Sequence, residues 1–105
     1  MDLMVEKLLK LPVGEKLVLE LDDGATVLAG EIDTCYDSDN DLDVNDENYE
    51  VYYVCLFKIN EVISCLNEQD YKANQFIELS IYNHPDRITS ENGDIIWEKT
   101  QSRIH

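Results

Sequence analysis

Residues 49–59 constrain the fold more than any other stretch, because both faces of a strand drawn through them are apolar. Val51, Tyr53, Cys55, Phe57 and Ile59 alternate with Tyr52, Val54 and Leu56, which is the period of two that defines a β-strand. A strand that is apolar on both sides belongs inside a sheet, covered above and below or in a curled one. It is therefore the predicted centre of the core. Immediately before it the chain reverses character. Residues 37–50 read Asp37-Ser38-Asp39-Asn40-Asp41-Leu42-Asp43-Val44-Asn45-Asp46-Glu47-Asn48-Tyr49-Glu50, a predicted acidic loop. From Leu17 to Phe57 there are twelve Asp or Glu and no Lys or Arg.

The remaining segments supply partners for that strand. Residues 2–11 predict a helix capped by Asp2, with Met4, Val5, Leu8, Leu9 and Leu11 on its apolar side and Pro12 and Gly14 ending it. Residues 16–21 alternate, with Leu17, Leu19 and Leu21 on one face. Asp22-Asp23-Gly24 then offers the positive-φ chemistry of a hairpin turn. The return strand runs from Thr26 to about Tyr36, with Leu28, Ile32 and Tyr36 sharing a face and Gly30 marking a bulge or bend. Residues 60–66 fit either a continuing strand or a helical turn, and residues 67–75 read as a polar connection with room for one helical turn. Residues 76–82 alternate again, with Ile77, Leu79 and Ile81 inward, and His84-Pro85 stops them. Asn92-Gly93 predicts a two-residue hairpin between residues 87–91 and 94–99, with Ile95 and Trp97 on one face. A frayed tail is expected over residues 100–105.

The predicted fold class is thus α+β, mainly β: a bent antiparallel sheet with an N-terminal helix. A chain of 105 residues suits one domain, with the helix at about 2–11 and the β core at about 16–99. A hydrophobic share of 44% argues against wholesale disorder despite the charge. No apolar run reaches the roughly 18 residues a membrane helix needs. The N-terminus lacks the basic start and apolar centre of a signal peptide, so a cytoplasmic location is expected.

The net charge of −15 limits the partners. Only eight Lys and Arg are present and they do not cluster, so direct nucleic-acid binding, which needs phosphate contacts, is not expected. The charge is lopsided: residues 1–57 hold fifteen acids and three bases, and residues 58–105 hold eight and five. Such a field speeds association with a basic partner.

Catalytic chemistry finds little support. His84 precedes a proline and reads as a turn or surface residue, and His105 ends the chain. Cys35, Cys55 and Cys65 are odd in number and lack a C-x-x-C pair, so neither a disulfide framework nor a zinc site is signalled. They read as small, buried or half-buried apolar residues. Neither an enzyme nor a cofactor is expected. Counted from Asp39, the oxygens of Asp39, Asp41, Asp43, Glu47 and Glu50 have calcium-loop spacing, but Val44 stands where the sharp turn calls for Gly and the flanks are strands. A calcium-binding module therefore stays an alternative.

Residues 3–63 also resemble the first motif of Sm-like small β-barrels, an SH3-like architecture. The resemblance lies in the helix, Gly14, the alternating Leu17, Leu19 and Leu21, then Gly24, Gly30 and Ile32, and the stretch 56–63. It implies a partial barrel. It does not imply RNA binding, because Asn60-Glu61 replace that family's Arg-Gly pair and the acidic loop occupies its RNA-facing region.

The expected function is a non-enzymatic acidic interaction module that binds a basic protein, as an inhibitor, immunity protein, antitoxin or nucleic-acid mimic does. Its predicted contact residues are Asp37, Asp39, Asp41, Asp43, Asp46, Glu47 and Glu50, with Tyr49 and Tyr52 as anchors. The alternative is a small structural domain that self-associates into a homo-oligomer through exposed strand edges.

Overall fold

The computed structural model describes residues 2–12, 14–39 and 41–99. Helix α1 spans Leu3–Leu9, and Asp2 caps it by accepting the Val5 N–H at 3.2 Å. Met4, Val5 and Leu8 are buried. Leu9, expected on the apolar side, is exposed, because a helix of two turns buries one narrow stripe and Leu9 lies off it. Leu11 follows the helix and packs against the core.

Strand β1 (Lys16–Leu21) turns back through Asp22–Gly24 into β2 (Thr26–Asp39), with Leu19 opposite Leu28. The turn adopts left-handed backbone at Asp22, Asp23 and Gly24, as its Asp-Asp-Gly sequence predicts. Buried Thr26 ties it down. Its Oγ1 donates to Asp22 Oδ2 at 2.7 Å and accepts the Leu66 N–H at 3.1 Å.

Strand β3 (Val51–Ser64) pairs with β2 along nearly its whole length, from Asp39 opposite Val51 to Val27 opposite Ser64. One expectation changes here and one open alternative is decided. Asp37, Ser38 and Asp39 are strand residues rather than loop, since ladder hydrogen bonds to β3 outweigh their local preference for turns. Residues 60–64 continue the strand. The pairing shifts register at three places, one of them between Ala29 and Gly30. A Cβ at Gly30 would stand 2.0 Å from the Lys58 carbonyl oxygen, so only glycine permits this approach. Another shift, between Ile32 and Thr34, reverses the side-chain phase. Cys35 then packs against the core, and Tyr36, expected inward with Leu28 and Ile32, is turned to solvent.

Strand β4 (Phe76–Leu79) lies on the other side of β3, while β5 (Arg87–Ser90) pairs with β1 and β6 (Ile95–Glu98) with β5. The order β4-β3-β2-β1-β5-β6 makes one open six-stranded antiparallel sheet. Turns without a helix fill residues 67–75. Ile81 is exposed rather than inward: β4 stops at Leu79, and reciprocal backbone hydrogen bonds between Ser80 and Asn83 throw Ile81 and Tyr82 onto a turn. Ile95 is 57% exposed although Trp97 is buried, because the β5–β6 register shifts between Ile88 and Thr89. The tail expectation for residues 100–105 lies outside the described residues.

Helix α1 packs on β3 and β6. Beneath it Leu17, Leu19, Leu28, Cys55, Phe57, Ile59, Leu79 and Ile88 form one cluster with Met4, Val5, Leu8 and Trp97. Burying a side chain such as Phe57 stabilises the fold by about 1.5–3 kcal/mol. Among the described residues no helix is long and apolar enough to cross a membrane.

Candidate functional site

Beyond Cys35 and Cys55 the two long strands continue as an arm. Directly opposed residues share a face, so Asp37 lies beside Tyr53 and Asp39 beside Val51, while Tyr36 and Val54, and Ser38 and Tyr52, occupy the other side. Val51 and Tyr53 are 55% and 40% exposed, correcting the expectation that they continue the core face of Cys55, Phe57 and Ile59. The strand alternates unchanged, but Val51 and Tyr53 line an open cleft instead of the closed core.

The tip is built from turns that use their own carboxylates. Asp39 Oδ1 accepts the Asp41 N–H at 3.0 Å, Asp43 Oδ1 the Asn45 N–H at 2.9 Å, and Asp46 Oδ1 the Asn48 N–H at 2.8 Å. This repeated Asx turn is what closely spaced Asp and Asn residues favour. Asp41 takes the left-handed backbone that Asp tolerates. Tyr49 donates its hydroxyl to Asp39 Oδ2 at 3.3 Å and closes the loop onto β2. Partial burial, and then the Asp39 charge, push its pKa above the usual phenol value. Burial and Glu78 do the same to Tyr36.

Among the described residues some carboxylates of the sheet are ion-paired, and those at the tip of the arm are not. Around β1, β5 and β6 carboxylates have cationic partners: Glu31 meets Lys16 at 2.9 Å, Arg87 meets Glu98 at 3.0 Å and Glu20 at 3.6 Å, and Asp86 meets Lys99 at 3.8 Å. The Lys16 hydrogen bond, then that of Asn60, holds the Glu31 carboxyl below its ordinary range. Among the described residues no Lys or Arg pairs with Asp37, Asp39, Asp41, Asp43, Asp46 or Glu47. Those six carboxylates therefore have no cationic partner among the described residues to offset their charge.

A cleft of about 500 Å³ lies where the arm meets the start of α1, lined by Asp2, Val5, Glu50, Val51, Tyr52, Tyr53 and Ile81. Tyr52 meets Tyr82 edge to face, with centroids 4.9 Å apart, and the Tyr82 hydroxyl donates to Glu50. Of the predicted contact residues, Glu50 and Tyr52 reach this cleft. Asp37 and Asp39 lie on β2, Asp41, Asp43, Asp46 and Glu47 on the tip, and Tyr49 at the loop's base. Asp2, Val5, Val51, Tyr53, Ile81 and Tyr82 were not legible as site residues, since their exposure depends on where the helix and β4 stop.

His84 is half-buried rather than a surface residue. Its Nε2 is 3.0 Å from Asp2 Oδ1 and its ring packs 5.0 Å from Trp97, which fastens the start of α1 to the sheet. Among the described residues no group of three or more His, Cys, Asp or Glu side chains could hold a metal ion. The calcium-spaced carboxylates of Asp39 and Asp43 turn towards backbone N–H groups instead of converging.

Sheet, cleft and arm define a class first: a small, mainly β protein whose long hairpin carries exposed carboxylates and tyrosines beside a cleft. Residues 1–101 match the family model described as "Cognate immunity protein YxxD", and the chain belongs to that family, whose role is immunity-type protein interaction. No curated protein and no solved structure matches it.

Proposed function

We propose that this chain is a non-enzymatic immunity protein that binds a basic face of its cognate toxin through the acidic arm and adjoining cleft. The observation that carries this reading is the concentration of charge: Asp37, Asp39, Asp41, Asp43, Asp46 and Glu47 gather on one arm with no Lys or Arg partner among the described residues, whereas Glu20, Glu31, Asp86 and Glu98 each meet one. An uncompensated field steers a cationic partner into encounter, and the tyrosines beside it supply contact area at low entropic cost. Glu50, Tyr52, Tyr53 and Tyr82 at the cleft serve as the anchoring centre, with Asp37, Asp39, Asp41, Asp43, Asp46 and Glu47 around it. We carry the Sm-like resemblance forward as a proposal about fold alone, supported by the N-terminal helix and the Gly30 bulge. Residues 1–105 act as one domain, with the cytoplasm as the working compartment.

The test is a pull-down from native lysate, eluted along a salt gradient, comparing the wild type with a variant whose arm acids are changed to Asn and Gln. The expected result is a basic protein that the wild type releases at moderate salt and the variant fails to retain. Equal retention by both, with the same salt dependence, overturns the proposal. Sedimentation at low and high salt adds a second decision: a monomer at both supports it, and a salt-insensitive oligomer supports pairing of the β4 or β6 edges instead.

A further inference from the structure

We propose that Cys35 and Cys55 are a site of reversible disulfide formation, a covalent staple across β2 and β3 at the root of the acidic arm. The two residues face each other directly in the strand register, and their sulfurs are 2.8 Å apart. Opposed residues in an antiparallel pair have Cα atoms about 4.5–5.5 Å apart, inside the range of about 4.4–6.8 Å that a disulfide spans. No strand has to move to make the bond.

Access decides the order of events. Cys55 is buried, whereas Cys35 is half-buried and lines a cleft of about 270 Å³ with Leu8, Leu9, Leu11 and Pro12. A small disulfide such as oxidised glutathione therefore meets Cys35 first. The Cys35 thiolate attacks one glutathione sulfur and expels the other as a thiolate, leaving a mixed disulfide. Cys55 then loses its proton and attacks the Cys35 sulfur, releasing the second glutathione thiolate. Two protein thiols give up two electrons and two protons, and one glutathione disulfide becomes two thiols. Burial, reinforced by Cys35, pushes the Cys55 thiol well up, so the second step is the slower one. Cys65 is excluded by position: it lies just past the far end of β3, with its thiol on the Asn67 carbonyl at 2.8 Å.

The bond closes the arm onto itself. The pairs that follow it, Tyr36 with Val54, Asp37 with Tyr53 and Asp39 with Val51, become the root of a covalent ring. The staple rests on the strand register alone and is independent of the partner proposed above.

The experiment incubates the full chain with oxidised glutathione, then alkylates it in denaturant and reads intact mass. The expected result is a fall from three alkylatable thiols to one, reversed by dithiothreitol. Cleavage at the Asp and Glu residues of the arm should leave the two strand halves joined through Cys35 and Cys55. The C65A variant should fall from two thiols to none, and C35S should show no intramolecular loss. In the oxidised protein, amide exchange over residues 36–54 should slow. Three thiols remaining, a mixed disulfide that persists on Cys35, or a link through Cys65 would each overturn the proposal.

Discussion

Residues 26–32 of β2 and 55–62 of β3 belong to the same hairpin as residues 36–39 and 51–54, yet the two halves live in different environments. The inner half packs Leu28, Phe57 and Ile59 under α1, and Glu31 there is matched by Lys16. The outer half keeps its ladder and alternation, but Val51 and Tyr53 are exposed and the acids around them lack cationic partners among the described residues, Glu50 aside. Covering, rather than pairing, separates scaffold from display. Charge gathered on the outer half costs the core little, because repulsion between solvated carboxylates is weak and falls further with salt.

If that division holds, the largest effects belong to the inner half. Phe57→Ala should cost about 3–5 kcal/mol by chemical denaturation, since it empties the middle of the cluster. Gly30→Ala forces a Cβ against the Lys58 carbonyl and should cost about 1–3 kcal/mol, with the change read as a lower denaturation midpoint. A Gly30→Ala protein as stable as the wild type would mean that the strands can part at the bulge, blurring the boundary. Asp2→Ala should cost about 1 kcal/mol through the lost helix cap, and should also free the His84 ring from its carboxylate, visible as changed ring chemical shifts by NMR.

The outer half should behave in the opposite way. Changing Asp41, Asp43 and Asp46 to Asn and Glu47 to Gln preserves the Asx acceptors while removing four charges. Stability should move by less than about 0.5 kcal/mol per substitution, while salt-dependent capture of the partner is lost. A large loss of stability would show the arm to be part of the scaffold. The smallest effect concerns tyrosine ionisation. Tyr36, Tyr49 and Tyr71 have folded pKa values raised by partial burial and by nearby charge. Their contribution is fully present below the unfolded value of about 10 and fades as pH rises through the folded ones. Ultraviolet titration should show phenolate forming later in the folded protein than in denaturant.

Much of the inner half is readable from local chemistry. Lys16–Leu21 alternates and is a strand, Asp22-Asp23-Gly24 turns, and Gly30 marks an irregularity. The misjudged burials along the strands share one cause. Tyr36, Tyr53, Ile81 and Ile95 all keep a regular apolar phase in sequence, and all are exposed. A bulge after Ile32, an arm that outruns the helix, a strand ending at Leu79 and a register shift at Ile88 each break the inference from phase to burial. The Cys35–Cys55 meeting was equally hidden, because twenty residues separate the two and only the register brings them opposite.

Read alone, the sequence determines which segments extend, where they turn and how much negative charge the chain carries, since these depend on residues close together along the backbone. Tertiary structure decided which end of the long hairpin is covered, which carboxylates meet a cation and which cysteines touch. Those outcomes depend on distant segments arriving at one place, and no local period encodes that arrival.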